Sequence, residues 1–227
     1  MKDYSDLRLP EIAAATEPHL ACVLLLDTSG SMSGEPIKNL NEAINRFKEE
    51  TSANEMTKKR VDIAIVEFSS DVRVVQNFSP IIAMEPVNLE AGGTTNMGAG
   101  IETAIDMVKE RTKFYASLGT PMFKPWIFMI TDGSPNHDIS VAAMRIREEE
   151  SKGTHGKLKF FALGVGNYDR DVLSSLSKRV IELSDMNFGG IFDWMSESMA
   201  TISVSRVDEE PRLPNLPENA RIIPSDW

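Results

Sequence analysis

The chain has 227 residues, 41% of them hydrophobic and 26% charged, a composition that allows one large domain with a full core and excludes a disordered chain. Its 24 basic residues against 34 acidic ones give a formal net charge of -10, which speaks against a nucleic-acid partner, because affinity for a phosphate backbone rests on clustered Lys and Arg. No apolar run approaches the roughly 20 residues of a membrane span, and the opening MKDYSDLRLP carries acids where a signal peptide would be apolar, so the sequence predicts no membrane association and a cytoplasmic location.

Residues 1–17 read as an N-terminal extension. The first strand is ACVLLL (21–26), where Cys22, the single cysteine, reads as a small buried hydrophobe and leaves no internal disulfide. DTSGSMSGEP follows, and then a helix whose apolar stripe is Ile37, Leu40, Ile44 and Phe47, with Pro36 in its first turn. VDIAIVEF (61–68) is a second buried strand. The few turn residues after it are too few for a helical crossover, so residues 72–78 are predicted to return by hairpin as an antiparallel edge strand. A Gly-rich loop, GGTTNMGAG (92–100), leads into a helix from Met97 to Thr112.

WIFMI (126–130), a weaker helix over 139–151, and LKFFALGV (158–165) continue the alternation. A short helix at 169–178, a last strand at 180–183 and a final helix at 191–202 complete it. Strands alternating with helices imply an α/β fold: a doubly wound, Rossmann-like three-layer sandwich on a mostly parallel sheet. The core is expected to span residues 18–203, with 204–227 a Pro-rich extended tail that Ile222, Ile223 and Trp227 could pin to the body. Within that tail Asp208, Glu209 and Glu210 read as a solvated acidic run, and the scattered His19, His137 and His155 are placed on the surface by default.

In such a sheet, ligands bind outside the carboxyl ends of the strands, where neighbouring crossovers leave to opposite sides. Three polar loops are expected at that edge: Asp27, Thr28, Ser29, Gly30 and Ser31 after the first strand, GGTTNMGAG, and TDGSP (131–135). They supply carboxylates from Asp27 and Asp132 and hydroxyls from Ser29, Ser31 and a threonine, with no His or Cys. An all-oxygen shell with one or two carboxylates suits Mg2+, with Mn2+ or Ca2+ as alternatives, and disfavours zinc.

The D-x-S-x-S after an apolar strand, the threonine in a Gly-rich loop and the Asp of T-D-G together resemble the metal-ion-dependent adhesion site of von Willebrand factor type A domains. LGVGNYDRDVLSSLS (163–177) is similar to that family's Gly-x-Gly loop and following helix. The resemblance covers roughly residues 18–203 and is nearest to stand-alone bacterial proteins of tellurium-resistance and stress-response systems. It implies that Ser29, Ser31 and Thr95 coordinate the metal by their hydroxyls, and that Asp27 and Asp132 act mainly through water. Thr95 rather than Thr94 has the family's spacing to Gly93 and Gly100.

A partner's Glu or Asp would complete the shell, giving a metal-dependent protein-interaction module rather than an enzyme. The same resemblance implies a cytosolic complex beside a kinase and a phosphatase. The competing reading is a magnesium-dependent phosphohydrolase with Asp27 as nucleophile. It is disfavoured because the second carboxylate such enzymes need two residues on is here Ser29.

Overall fold

In the computed structural model, the structure describes residues 15–152 and 157–224. Among these, the chain alternates as the apolar runs predict. The strands are β1 (Leu20–Asp27), β2 (Val61–Phe68), β3 (Val72–Pro80), β4 (Trp126–Thr131), β5 (Lys159–Val165), β6 (Val180–Leu183) and β7 (Ala220–Ile223). The helices are α1 (Glu35–Ala53), the single turn α2 (Thr57–Arg60), α3 (Met97–Leu118), α4 (Ser140–Ser151), α5 (Arg170–Leu176) and α6 (Gly189–Val204).

Every residue of β1 and β4 is buried, as continuous apolar strands in the middle of a two-faced sheet require. The sheet order is β3-β2-β1-β4-β5-β6-β7. The five inner strands run parallel, and the hairpin strand β3 pairs antiparallel with β2. One face packs against α1 and α6, through Leu40, Ile44, Phe47, Phe192 and Met195; the other packs against α3, α4 and α5, through Ile101, Ile105, Ile146 and Leu173. The crossover after β1 therefore leaves to one face, and the helix entering β4 comes from the other. Their divergence opens a crevice at the carboxyl ends of β1 and β4.

The tail departs from the prediction. Residues 209–217 form neither helix nor strand, between turns at 207–208 and 218–219, but Val180–Leu183 is not the last strand: β7 pairs antiparallel with β6, from Ile223 opposite Val180 to Ala220 opposite Leu183. Both sheet edges are thus antiparallel. The pairing satisfies the edge of β6, and Ile223 enters the core. Ile222 instead stays exposed, while Trp227 lies outside the described residues.

Nor is the acidic run simply solvated, because Glu210 reaches Lys124 at 2.8 Å. His19 is fully buried rather than on the surface. Its backbone bonds to Pro121 and Phe123, and its ring faces Asp62 at 3.2 Å. His137 is exposed, and His155 lies outside the described residues.

Candidate functional site

The three polar loops meet in the crevice. β1 delivers Asp27 at its last residue, and the parallel register with β4 (Leu26 opposite Ile130) sets Asp27 beside Thr131. Asp27 is fully buried. Its Oδ1 accepts the Ser29 backbone N–H at 2.8 Å and its Oδ2 accepts the Thr131 hydroxyl at 2.5 Å. The Ser29 and Ser31 hydroxyl oxygens are 3.0 Å apart, and the Ser31 hydroxyl donates to Asp132 Oδ1 at 2.7 Å. Of these groups only Ser31 is exposed, so the cluster opens to solvent there.

The second loop is held by backbone bonds to the first: the Gly30 N–H donates to the Gly93 carbonyl at 3.1 Å and the Gly92 N–H to the Thr28 carbonyl at 2.8 Å. Gly93 has φ +81°, and a Cβ there would lie 2.5 Å from Ser70 Oγ, so only glycine fits this close approach. The loop places Thr95 and Thr94 differently. Thr94 is exposed and its hydroxyl donates to Ser70 Oγ at 3.2 Å, whereas Thr95 is buried. A Cβ on Gly133 would sit 3.6 Å from Ser31 Oγ and 3.8 Å from Thr95 Oγ1, so hydroxyls from the first two loops converge on the third.

Sequence reasoning missed three residues of this assembly. Thr131 was placed in the TDGSP loop with no role of its own, yet its hydroxyl orients Asp27. Asn136 binds Thr95 twice, its side chain accepting the Thr95 N–H and its N–H donating to the Thr95 carbonyl at 3.1 Å. Ser70 braces the glycine loop through the Thr94 N–H at 3.0 Å. The signal for Thr131 and Asn136 was their position on either side of Asp-Gly in TDGSPN. Ser70 had none beyond its hairpin turn.

The electrostatics suit a cation. Burial raises the Asp27 pKa, hydrogen bonds from Ser29 and Thr131 lower it in part, and the Asp132 charge raises it again; the net shift is upward. Two carboxylates and three hydroxyls thus gather at one crevice. The donor set is all oxygen and mostly neutral, which fits a hard divalent ion. Among the described residues no group of three or more His, Cys, Asp or Glu could hold a metal ion. A metal site here has to draw on hydroxyls. No helix among the described residues is long and apolar enough to cross a membrane.

An open doubly wound sheet whose switch-point crevice gathers D-x-S-x-S, a threonine and an aspartate from three loops defines a class, the α/β domains with an adhesion-type metal motif. The chain belongs within it to the von Willebrand factor type A domain family, whose sequence profile matches residues 22–189. It is similar to the uncharacterized protein YfbK of Escherichia coli, 28% identical over an alignment of 191 residues that covers 80% of this chain and 30% of that protein.

Among solved structures it resembles a von Willebrand factor type A protein from Catenulispora acidiphila, with TM-score 0.60, 16% identity, and coverage of 81% of this chain and 43% of that one. It also resembles proximal thread matrix protein 1 of the mussel byssus with a zinc-occupied MIDAS motif, with TM-score 0.56, 18% identity, and coverage of 82% of this chain and 48% of that one. The chain spans less than half the length of each. At these identities the structures share its fold.

Proposed function

We propose that this domain is a Mg2+-dependent protein-interaction module in which Ser29, Ser31 and Thr95 hold the ion by their hydroxyls, and Asp27 and Asp132 hold it mainly through water. Mn2+ or Ca2+ could take the same oxygen donors. The observation that carries this reading is the convergence of three loops on one crevice, with Ser31 bonded to Asp132 across the sheet and Thr95 beside Gly133. When bound, the ion would supply a positive charge little neutralised by its hydroxyl ligands, to which a partner's Glu or Asp binds. The chain's own residues hold Asp27 rigid through Thr131, keep Asp132 near Ser31, and leave the Ser31 side open to a partner.

Asn136 holds the Thr95 backbone on both sides, and the Thr95 hydroxyl lies 3.8 Å from where a Cβ on Gly133 would sit, which supports its place in the donor set. The mussel protein's zinc-occupied motif supports divalent-ion binding by this type of loop set. Asp27 as a phosphohydrolase nucleophile gains nothing from the geometry, since it is fully buried and both its oxygens accept hydrogen bonds. The resemblance to stand-alone bacterial proteins extends the reading to a cytosolic stress or tellurium-resistance complex beside a kinase and a phosphatase, which the neighbouring genes test by themselves.

The test of the module is isothermal titration with Mg2+, Mn2+ and Zn2+ on the native chain and on Ser29→Ala/Ser31→Ala, alongside partner capture with Mg2+ or EDTA. Saturable metal binding and metal-dependent capture, both lost in the double variant, are expected. Metal binding unchanged in that variant would overturn the ligand assignment, and Mg2+-dependent phosphatase turnover lost in Asp27→Asn would overturn the non-enzymatic reading.

A further inference from the structure

On the sheet face that carries α1 and α6, α6 reaches β5 through Trp194, whose ring lies 6.1 Å from that of Phe161, and a gap remains beside it over β5 and β6, while α5 crosses on the opposite face, where Leu173 and Leu176 pack. The tail bridges this gap as an extended strap. Leu213 and Leu216 pack on the apolar cluster there, and the Trp194 indole donates to the Pro214 carbonyl at 3.0 Å. The strap does not fill the gap. A cavity of about 560 Å³ remains beneath it, lined by Phe161, Ile181 and Trp194 on one side and by residues 213–216 on the other. Small-molecule sites commonly fall between roughly 300 and 1,000 Å³.

Among the described residues, every charged side chain lining this cavity is cationic: Lys159, Lys178 and Arg179. That is an unexpected bias in a chain of net charge -10. These cations have carboxylate partners, but shared ones. Glu150 pairs with Arg179 and lies 3.5 Å from Lys178, while Glu210 lies 3.7 Å from Lys159 and bonds Lys124. Among the described residues Glu210 is thus shared by Lys124 and Lys159, and Glu150 by Lys178 and Arg179. Burial lowers the Lys159 pKa, and the charges of Lys124 and Arg179 add to this against the opposing pull of Glu210, so another anion beside Lys159 would be favoured. Arg179 also lies over the Phe161 ring at 5.6 Å, which joins the cationic end to the aromatic wall.

We propose that this cavity binds a small carboxylate with an apolar body, of the medium-chain fatty acid type, its chain against Phe161, Ile181 and Trp194 and its carboxylate between Lys159 and Arg179. Lys159 opens β5 and Arg179 immediately precedes β6, so the cavity lies at the amino ends of these strands, away from the metal crevice at the carboxyl ends.

The test is isothermal titration of the native chain with octanoate and with uncharged octanol, in EDTA so that a carboxylate cannot be held by metal. Saturable octanoate binding at least about tenfold tighter than octanol is expected, in line with a charge-assisted contact. Lys159→Met should remove that preference while leaving octanol binding unchanged. Leu216→Trp, which fills the cavity from the strap and leaves the rim cations in place, should remove both ligands and guards against a folding defect in the first variant. Octanoate binding no tighter than octanol would overturn the proposal, as would octanoate binding that needs a divalent ion. Binding that appears only after deletion of residues 225–227 would also overturn it, by giving the cavity to the chain's own tail.

Discussion

Ser31 and Asp132, separated by 101 residues of sequence, are joined by a hydrogen bond of 2.7 Å from the Ser31 hydroxyl to Asp132 Oδ1. The bond connects the loop after β1 to the loop after β4 at the point where the crevice opens to solvent. In a metal-bound state the same hydroxyl oxygen would have a lone pair for the ion while its O–H still donates to the carboxylate. A hydroxyl in this arrangement both binds and orients.

Ser31→Ala should therefore weaken Mg2+ affinity by about tenfold or more, the scale seen when metal-site partners are removed. Because Ser31 is exposed, the change should leave stability within about 0.5 kcal/mol of the parent. Titration calorimetry and urea unfolding on the same samples read the two effects. A large stability loss with unchanged metal affinity would make the serine a structural turn residue.

Thr131→Val tests the support of Asp27 rather than the ion's direct contacts. Valine keeps the β-branched shape suited to β4 but leaves Asp27 Oδ2 buried without its donor. The expected loss is about 1–3 kcal/mol, the penalty for orphaning a buried polar atom. Saturating Mg2+ should restore part of it, since a ligand that binds the folded chain adds stability. Urea midpoints with and without Mg2+ measure both, and an equal loss in the two conditions would separate Asp27 from the metal.

Much of this was readable before the structure, for a physical reason. β1 and β4 are buried on both faces, so their sequences are uninterrupted apolar runs, and each ends where the first oxygen ligand begins. Thr95 could be chosen over Thr94 only through the family spacing, since two adjacent threonines in a Gly-rich loop carry no periodicity. β7 was not legible because it is four residues long, follows a Pro-rich stretch and alternates with only one inward side chain. His19 was misplaced because a lone histidine has no local signature. Its partners did carry one: Asp62 inside the apolar VDIAIVEF, and Arg111 on a helix whose neighbours in space are apolar. A charge set within a buried run requires a counter-charge.

That buried group gives a pH prediction. Asp62 Oδ2 faces His19 at 3.2 Å, accepts Arg111 Nη2 at 2.8 Å and accepts a short hydrogen bond from the Tyr115 hydroxyl. Burial pushes the Asp62 pKa up, but the His19 hydrogen bond, the Arg111 charge and the Tyr115 hydrogen bond outweigh it and hold the pKa below its ordinary value. A carboxylate with a depressed folded pKa contributes stability that is full above its unfolded value, near pH 4, and is lost as pH falls through the folded value. Asp62→Asn should thus be least stable relative to the parent at pH 6, with the gap narrowing toward pH 3. Urea unfolding across that range would show it, and a gap independent of pH would mean that the carboxylate's charge does not matter. Arg111→Met should be worse than Asp62→Asn at pH 6, by up to about 3–5 kcal/mol relative to the parent, because it strands a buried carboxylate.

The tail can be tested as part of the fold through two adjacent residues of β7. Strand geometry sends them to opposite faces: Ile223 is 3% exposed and packs in the core cluster with Val180 and Leu173, whereas Ile222 is 66% exposed. Ile223→Ala should lower stability by about 2–5 kcal/mol, the range for emptying a buried isoleucine site, while Ile222→Ala should stay within about 0.5 kcal/mol. If β7 were only loosely laid on β6, the two substitutions would behave alike and both would be mild. The contrast also bears on the strap: β7 fixes its far end through the β6 pairing and the Asn219 bond to Asp185 at 2.8 Å. Loosening Ile223 should therefore expose Trp194, shifting its emission to longer wavelength before global unfolding, whereas Ile222→Ala should leave the emission unchanged.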